Sequence, residues 1–284
     1  MLSMKIFAIF GDPVEHSLSP SMQNAALSAL GLDGCYIALR VAQEDLSPAL
    51  LGAQAMGFCG VNLTIPLKEK ALDMDFLRLD PFAVAIGAVN TVSFAGRMTG
   101  YNTDGWGARL ALQKAGVAVR GRSVLLIGAG GAARAAGYTL AEEGADVCIA
   151  NRSLERGRQL AASLGAQACG LGDLERILPG MDIIINCTSV GMREGDGRLL
   201  EGRLLRRGQA VFDIVYNRET ELLKDARAAG AKTIDGVMML VYQGAKALQI
   251  WTGREADAGV VDIMERAVRE GLIARAGQQA RRRA

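Results

Sequence analysis

The first hundred residues alternate between short apolar segments and longer amphipathic ones. Apolar segments at 5–10, 35–41 and 60–64 predict buried strands, and the segments at 20–30 and 47–56 have the spacing of helices. This alternation is typical of parallel βαβ units. The region is completed by a predicted short helix at 69–73 and two predicted strands, 88–94 and 97–101, joined by a tight turn at Ala95 and Gly96.

A second alternating series follows a helical stretch at 106–115. It begins with a very apolar segment at 123–127, and its strands are apolar on both faces, as a sheet covered by helices on two sides requires. We therefore predict a Rossmann-type, doubly wound domain. Its further predicted elements are helices at 132–143 and 154–164 and strands at 146–150, 183–186 and 210–214.

The end of the chain has a different pattern. Two long helical stretches, 236–252 and 256–273, have no strand between them, and we expect them to pack on the first domain. An active site would then lie in the cleft between the domains. The predicted fold class is α/β with two domains: an N-terminal α/β substrate domain at 1–103, completed by C-terminal helices in 237–284, and a Rossmann-type dinucleotide-binding domain at 104–236.

Composition and charge exclude several classes of protein. Half of the 284 residues are apolar, which is enough for two domains with their own cores. A net charge of +2 indicates no nucleic-acid partner, and the arginine-rich residues 278–284 are predicted to be a frayed, solvated tail. No apolar segment approaches the roughly 18 residues of a membrane span, and the segment at 6–10 is too short for a signal peptide. We expect a cytoplasmic protein without a membrane partner.

The cysteines agree with that compartment. They are odd in number and widely spaced, so the sequence predicts neither a disulfide framework nor a zinc site, and we expect no bound metal. Cys35, Cys148 and Cys187 lie in strand-like apolar segments, where a thiol packs as a small hydrophobe.

A glycine-rich loop follows the first strand of the second domain. Residues 128–133 form a G-x-G-x-x-A motif between a predicted strand and a predicted helix. Its glycines permit a tight turn and close approach of a pyrophosphate, and the helix N-terminus supplies amide donors. In this setting the motif predicts a dinucleotide site rather than a tight turn alone. The predicted contacts are Gly128, Ala129, Gly130, Gly131 and Ala132.

The end of the next strand predicts which dinucleotide binds. An NAD enzyme usually carries a carboxylate there for the ribose hydroxyls, whereas this chain has Asn151, Arg152 and Ser153. A guanidinium can bind a 2′-phosphate, so we predict NADP. The alternative for Arg152 is a surface arginine that caps the next helix. Arg156 is either a second phosphate contact or solvated.

Polar residues gather at the predicted strand ends of the first domain. Ser17 and Ser19 lie in the loop after the first strand, and Asn62 and Thr64 share one face of the third strand. A lysine and an aspartate nearby can hold a substrate hydroxyl and move its proton, which, together with a nucleotide loop, suggests hydride transfer. The other members of the cluster are Pro66, Lys68, Asn90, Thr91, Asn102 and Asp104.

These motifs, in this order along almost the whole chain, closely resemble the shikimate dehydrogenase family. The resemblance implies an NADP-dependent enzyme that interconverts shikimate and 3-dehydroshikimate. One departure is a shorter segment at 217–223, which bears on the role of Tyr216. The matching stretches are HSLSP at 16–20, VNLTIPLK at 61–68, IGAVNT at 86–91, YNTDG at 101–105, GAGGA at 128–132, NRS at 151–153, NCTSVGM at 186–192 and DGVMMLVYQ at 235–243.

The resemblance also implies a role for each matching residue. Ser17 and Ser19 would bind the substrate carboxylate, and Lys68 and Asp104 would be the catalytic pair. During reduction, Lys68 as an ammonium would stabilise and protonate the oxygen that hydride addition leaves negative. The ring hydroxyls and ketone would contact Thr64, Asn90, Asp104 and Gln243, with Asn62 and Tyr216 lining the site; Thr188, Ser189, Ile214, Gly236 and Met239 would lie near the nicotinamide end.

Two alternatives stay open at this point. One is a relative that acts on quinate or a similar hydroxylated acid, and the other is a binding or regulatory module without turnover. Ser17, Ser19 and Arg152 favour shikimate with NADP over the first, and the intact Lys68 and Asp104 argue against the second. The sequence is compatible with a monomer and with a homodimer.

Overall fold

The computed structural model describes the backbone of residues 4–283 and the side chains of residues 4–278. These residues form two compact units. One contains the described residues up to Thr103 and from Val241 onward, and the other is Asp104–Leu240. Within the described part of the chain, no helix combines the length and the apolar character needed to cross a membrane.

The helices and strands follow the predicted alternation. In chain order they are β1 (Lys5–Gly11), α1 (Ser19–Ala29), β2 (Gly34–Arg40), α2 (Leu46–Ala55), β3 (Gly60–Leu63), α3 (Leu67–Lys70), β4 (Arg78–Leu79), α4 (Pro81–Ile86), β5 (Thr91–Ser93), β6 (Thr99–Tyr101), α5 (Asp104–Lys114), β7 (Ser123–Ile127), α6 (Gly131–Glu142), β8 (Asp146–Asn151), α7 (Leu154–Leu164), β9 (Gln167–Gly170), α8 (Leu174–Ile177), β10 (Ile183–Asn186), β11 (Ala210–Asp213), α9 (Glu221–Ala228), β12 (Lys232–Ile234), α10 (Val237–Thr252) and α11 (Ala258–Arg283).

The first unit is built on a mixed sheet with the strand order β2-β1-β3-β5-β6-β4. Strand β1 pairs in parallel with β2 and β3, whereas β5 runs antiparallel to both β3 and β6. Central β1 is apolar, and Phe7, Ala8 and Phe10 are at most 2 % exposed. The carboxyl ends of β1 and β3 lie side by side, because Phe10 pairs with Leu63. The predicted polar loops therefore begin at one edge of this sheet.

Helix α10 packs on this sheet through Trp251. The indole Nε1 donates a hydrogen bond to the carbonyl oxygen of Val92 at 2.9 Å, and the ring stacks on Phe7 with 5.1 Å between ring centroids. Residue 60 must be glycine for this contact, because a Cβ there would lie 2.1 Å from the indole nitrogen. The prediction that the C-terminal helices return to the first domain is confirmed.

The second unit contains a parallel sheet with the order β12-β11-β10-β7-β8-β9. The chain runs outward from β7 through β8 to β9, then returns to the other side of β7 and continues through β10, β11 and β12. This is the order of a doubly wound Rossmann fold, and its switch point lies between β7 and β10. The predicted α/β fold class is confirmed.

The hairpin of β5 and β6 is wider than predicted. Ser93 pairs with Thr99, so residues 94–98 connect the strands, not the tight turn predicted at Ala95 and Gly96. Gly96 has a φ of +70°, and Ser93 Oγ accepts a hydrogen bond from the backbone nitrogen of Ala95 at 3.3 Å. This side-chain bond satisfies the Ala95 amide within the loop.

Short strands at the sheet edges were not predicted from the sequence. Strands β4, β9 and β12 contain two to four residues each, too few to show an apolar period. They exist because a neighbouring strand offers backbone partners. Helix α11 continues to Arg283, past its predicted end at residue 273 and through most of the predicted frayed tail, while Ala284 lies outside the described residues.

All five cysteines are free thiols. Cys148 and Cys169 lie on adjacent strands with their Sγ atoms 4.0 Å apart. Burial raises the thiol pKa of Cys148, and it raises that of Cys169 to about 12. Burial also raises the pKa of Cys187. These thiols therefore stay protonated and pack as hydrophobes. The sequence predicted this packing for Cys148 and Cys187, which are buried, and for Cys35, which is only half-buried.

Candidate active site

A buried hydrogen-bond network joins the strand ends of the first unit, with Asn62 at its centre. Asn62 Oδ1 accepts a hydrogen bond from the Tyr36 hydroxyl at 2.7 Å. Its Nδ2 donates to the Asn90 carbonyl oxygen and to Thr91 Oγ1, both at 3.0 Å. Both amide hydrogens of Asn62 are therefore used within the protein. The Asn62 side chain therefore links β2, β3 and the start of β5.

Asn90 extends this network to two distant parts of the chain. Its Nδ2 donates to Thr103 Oγ1 at 2.9 Å, and its Oδ1 accepts from the Thr103 backbone nitrogen at 2.8 Å. The Thr103 hydroxyl lies 3.5 Å from Gln243 Oε1 on α10. Three of the sequence-predicted side chains, Asn62, Asn90 and Gln243, thus belong to one connected cluster. Thr103 and Tyr36 were not predicted from the sequence, although Thr103 lies inside the NTDG stretch.

Lys68 is placed by its neighbours in α3. Leu67 is fully buried in the core of the first unit, and the carbonyl oxygen of Lys68 accepts a hydrogen bond from the Val89 backbone nitrogen at 2.8 Å. The Leu67 nitrogen donates to the Thr64 carbonyl at 2.8 Å, so a tight turn from Thr64 to Leu67 leads directly into Lys68. Lys68 is half-buried. Backbone hydrogen bonds at Leu67 and Lys68 therefore fix the main chain here, while Lys68 itself remains partly exposed to solvent.

Ser17 and Ser19 form a compact turn at the start of α1. The backbone nitrogen of Ser19 donates to Ser17 Oγ at 3.1 Å, and the Ser17 nitrogen donates to the Val14 carbonyl at 3.0 Å. Ser19 is 4 % exposed and begins α1, whereas Ser17 is half-buried. The two hydroxyls are thus held in one short, ordered segment.

Asp104 is the first residue of α5 in the second unit, and it is 5 % exposed. A helix N-terminus favours a negatively charged side chain. The next residue must be glycine, because a Cβ at Gly105 would lie 2.1 Å from Thr139 Oγ1 and 2.8 Å from the carbonyl oxygen of Ala135. Close packing of α5 on α6 at Gly105 therefore fixes the start of the helix that carries Asp104.

The glycine loop has the shape that a pyrophosphate needs. Gly128 has a φ of +118°, and a Cβ there would lie 3.1 Å from the Cys187 carbonyl oxygen and from Thr188 Cγ2. A Cβ at Gly130 would meet nothing within 4 Å, so the backbone there faces open space. Gly130 caps α6 without a side chain, which leaves the first amides of α6 free of a side-chain cap. This cradle fits a dinucleotide.

The loop after β10 is held by a buried aspartate, Asp213, that was not predicted from the sequence. Asp213 Oδ1 accepts hydrogen bonds from Asn186 Nδ2 at 2.9 Å and from the Val215 nitrogen at 3.0 Å, and Oδ2 accepts from the Thr220 hydroxyl at 2.6 Å. Asn186 Oδ1 in turn accepts from the backbone nitrogen and the hydroxyl of Thr188. Asp213 thereby positions the segment that contains the predicted residues Thr188 and Ser189.

Asp213→Ala is expected to lower the free energy of unfolding by about 3 kcal/mol, because it leaves three donors unpaired in a fully buried site. Burial raises the pKa of Asp213 above its usual value, although its hydrogen bonds act in the opposite direction. The control is Glu219→Ala, which breaks only the exposed pair with Arg227 and should change stability by less than about 1 kcal/mol. Urea unfolding of both variants measures the difference. Equal unfolding midpoints would contradict the positioning role of Asp213.

Ile214 and Gly236 are brought together by a close backbone contact. A Cβ at Gly236 would lie 2.2 Å from the Ile214 carbonyl oxygen. Met239 is 7 % exposed in the first turn of α10, and Tyr216 is half-buried just after β11. Gly128, Thr188 and Ile214 follow three neighbouring strands at the carboxyl edge of the second sheet, on both sides of its switch point. Nucleotides bind at this position in doubly wound sheets.

The segment predicted to select the cofactor is a turn at the end of β8. Asn151 Nδ2 donates to the Ser153 carbonyl at 2.9 Å, and Ser153 Oγ caps α7 by accepting from the Arg156 nitrogen at 3.4 Å. Arg152 and Arg156 are exposed. Ser153 therefore serves as the helix cap, and Arg152 next to it is exposed to solvent.

Comparisons with known proteins identify the family. The model of the shikimate dehydrogenase substrate-binding domain matches residues 9–92, the shikimate / quinate 5-dehydrogenase model matches 109–235, and the shikimate 5′-dehydrogenase C-terminal domain model matches 236–269. The chain belongs to the shikimate dehydrogenase family. A family member from Methanothrix thermoacetophila, shikimate dehydrogenase (NADP(+)), is 57 % identical over 95 % of this chain and 98 % of its own length.

Solved structures of the shikimate dehydrogenase family share the fold. A shikimate dehydrogenase in complex with NADP+ aligns with a TM-score of 0.89 at 39 % identity and covers 96 % of this chain and 98 % of that one. The Thermus thermophilus enzyme in complex with NADP(H) and shikimate aligns with a TM-score of 0.86 at 39 % identity and covers 94 % and 100 %. The likeness thus extends over both units.

Proposed function

We propose that the protein catalyses the reversible NADPH-dependent reduction of 3-dehydroshikimate to shikimate, a step of aromatic amino-acid biosynthesis. The observation that carries this proposal is membership of the shikimate dehydrogenase family, which extends over nearly the whole chain. The proposed catalytic residues Lys68 and Asp104 are both present, and they lie in helices α3 and α5. The glycine cradle and the exposed Arg152 at the end of β8 support NADP as the cofactor.

In the proposed mechanism, bound NADPH supplies a hydride to the ketone carbon of the substrate. The carbonyl oxygen becomes negative, and the Lys68 ammonium stabilises it and donates the proton that completes the hydroxyl. In the reverse direction, neutral Lys68 accepts the hydroxyl proton. Asp104 accepts a hydrogen bond from the substrate hydroxyl, and so orients it. Each direction moves one hydride and one proton.

The remaining residues of the proposed site bind and orient the ligands. Ser17 and Ser19 donate hydrogen bonds to the substrate carboxylate. Asn62 contributes by holding Asn90 and Thr91 in place. Substrate contacts are further proposed for Thr64, Asn90, Gln243 and Tyr216, and cofactor contacts for Gly128, Ala129, Gly130, Gly131, Ala132, Asn151, Arg152, Ser153, Arg156, Thr188, Ser189, Ile214, Gly236 and Met239.

The experiment that tests this function follows NADPH formation with shikimate and with quinate, each in the presence of NADP and of NAD. We expect turnover with shikimate and NADP to have the highest kcat/KM. Preference for quinate would favour the second candidate, which the matched shikimate / quinate family model supports. Absence of turnover with all four pairs would overturn the catalytic proposal and favour a binding module.

We further propose that the protein is cytoplasmic and acts as a monomer or a homodimer. Five free thiols support a reducing compartment. Analytical ultracentrifugation at micromolar concentration distinguishes the two oligomeric states.

A further inference from the structure

Helix α11 contacts the serine turn directly through Arg275. Its Nη1 donates a hydrogen bond to the His16 carbonyl oxygen at 2.5 Å, and its Nη2 donates to the Ser17 carbonyl oxygen at 2.9 Å. One guanidinium therefore binds two consecutive carbonyl groups. Arg275 lies six residues beyond 269, the last residue matched to the family's C-terminal domain model.

These two hydrogen bonds fix the backbone of one particular residue. The His16 and Ser17 carbonyls belong to the peptide planes on either side of the Ser17 Cα. The relative orientation of those planes is set by the φ and ψ angles of Ser17. A planar guanidinium with fixed donor geometry that binds both planes restricts these angles, and with them the direction of the Ser17 side chain. Ser17 Oγ also accepts from the Ser19 nitrogen, which links the second serine to the same arrangement.

A second contact on the same face of α11 packs against the serine turn at Leu18. Gly271 is one helical turn before Arg275, so the two residues share a face. A Cβ at Gly271 would lie 2.8 Å from Leu18 Cδ2, and Leu18 is 1 % exposed between the two serines. The glycine therefore lets α11 approach closely enough for the Arg275 side chain to reach the carbonyls.

We propose that Arg275 is a positioning residue for recognition of the substrate carboxylate. It holds the backbone of Ser17 so that the hydroxyls of Ser17 and Ser19 are arranged for a carboxylate before the substrate arrives. The role of α11 is then to complete the substrate site as well as to cover α1. This inference rests on the proposed function, in which the two serines bind the carboxylate.

The test compares Arg275→Ala and Arg275→Lys with the matched control Arg269→Ala, which removes an arginine of the same helix that pairs with Glu265. We expect Arg275→Ala to raise the KM for shikimate about tenfold, with kcat and the KM for NADP within about twofold of the wild type. Arg275→Lys should fall between, because an ammonium does not reproduce the planar fork. Arg269→Ala should behave as the wild type.

A substrate without the carboxylate charge separates positioning from general damage. With the methyl ester of shikimate, we expect Arg275→Ala to lose less than threefold in kcat/KM relative to the wild type. Equal losses with acid and ester, or an unchanged KM for shikimate, would overturn the inference. If the alanine variant does not fold, the lysine variant carries the same comparison.

Amide hydrogen exchange in the free protein keeps this inference distinct from the proposed function. Arg275→Ala should speed exchange of the Ser17 and Ser19 amides at least tenfold, and Arg269→Ala should not. Wild-type protein that does not turn over shikimate would overturn the proposed function, whereas unchanged exchange in Arg275→Ala would overturn the positioning role. The exchange experiment can therefore be interpreted whatever the turnover experiment shows, and the reverse also holds.

Discussion

Replacing Lys68 by alanine is expected to lower kcat about 10²-fold or more, with a modest change in the KM for shikimate. The ammonium is the proposed proton donor to the oxygen that becomes negative during hydride addition, so its contribution is largest in the transition state. An interaction made mainly in the transition state affects kcat and kcat/KM together and leaves ground-state binding nearly intact. The measurement is steady-state kinetics in both directions.

Lys70→Ala is the matched control for this prediction. Lys70 lies two residues on in the same short helix α3 and pairs with Asp73 at 3.0 Å on the surface. Its loss removes the same charge from the same element without removing the proposed donor. The substrate deuterium isotope effect should increase in Lys68→Ala if proton transfer and hydride transfer share one step. A kcat close to that of the wild type would exclude Lys68 as the acid/base group.

Replacing Arg152 by aspartate is expected to lower the preference for NADP over NAD by about 10²-fold or more. Charge-assisted hydrogen bonds contribute about 1.5–3 kcal/mol each, which corresponds to roughly ten- to a hundred-fold in affinity. The new carboxylate would also repel the 2′-phosphate and offer acceptors to the ribose hydroxyls of NAD. The measured quantity is the ratio of kcat/KM for NADP to that for NAD.

Two further variants make this result specific. Arg158→Asp changes the charge by the same amount at an exposed position within α7 and should leave the ratio within about threefold. Arg156→Ala decides between the two roles left open for that residue, because a phosphate contact would lower NADP affinity about tenfold and a solvated side chain would not. An unchanged cofactor ratio in Arg152→Asp would contradict the assignment of the 2′-phosphate site.

The central strands were predictable because their residues are apolar over a continuous segment. Strand β7 was predicted at 123–127 and is Ser123–Ile127, and helix α7 was predicted at 154–164 and is Leu154–Leu164. Strands β9 and β12 were not predictable. Each has only three or four residues, and the pairing partner that defines it lies elsewhere in the chain.

For the candidate site, too, the sequence indicated some features, and others are visible only in the structure. The types of residue in the NLTIPLK and NTDG stretches indicated proton transfer, and the glycine loop indicated a nucleotide. Sequence could not indicate that the amide of Asn62 is used by Tyr36, Asn90 and Thr91, because those partners are 26 to 29 residues away. Asp213 was missed for a related reason. A carboxylate after an apolar strand looks like a strand end, and only its three donors reveal a positioning role.

The sequence by itself determined the α/β class, the Rossmann pattern, the glycine loop and the identity of the candidate chemical groups, because these depend on local periodicity and on residue type. The tertiary structure alone decided which backbones those groups are attached to and what holds them. Arg275 illustrates the difference. In the sequence it is one more charged residue in a long amphipathic helix. In the fold it binds two carbonyls some 258 residues earlier in the chain, because packing of α11 on α1 brings them together.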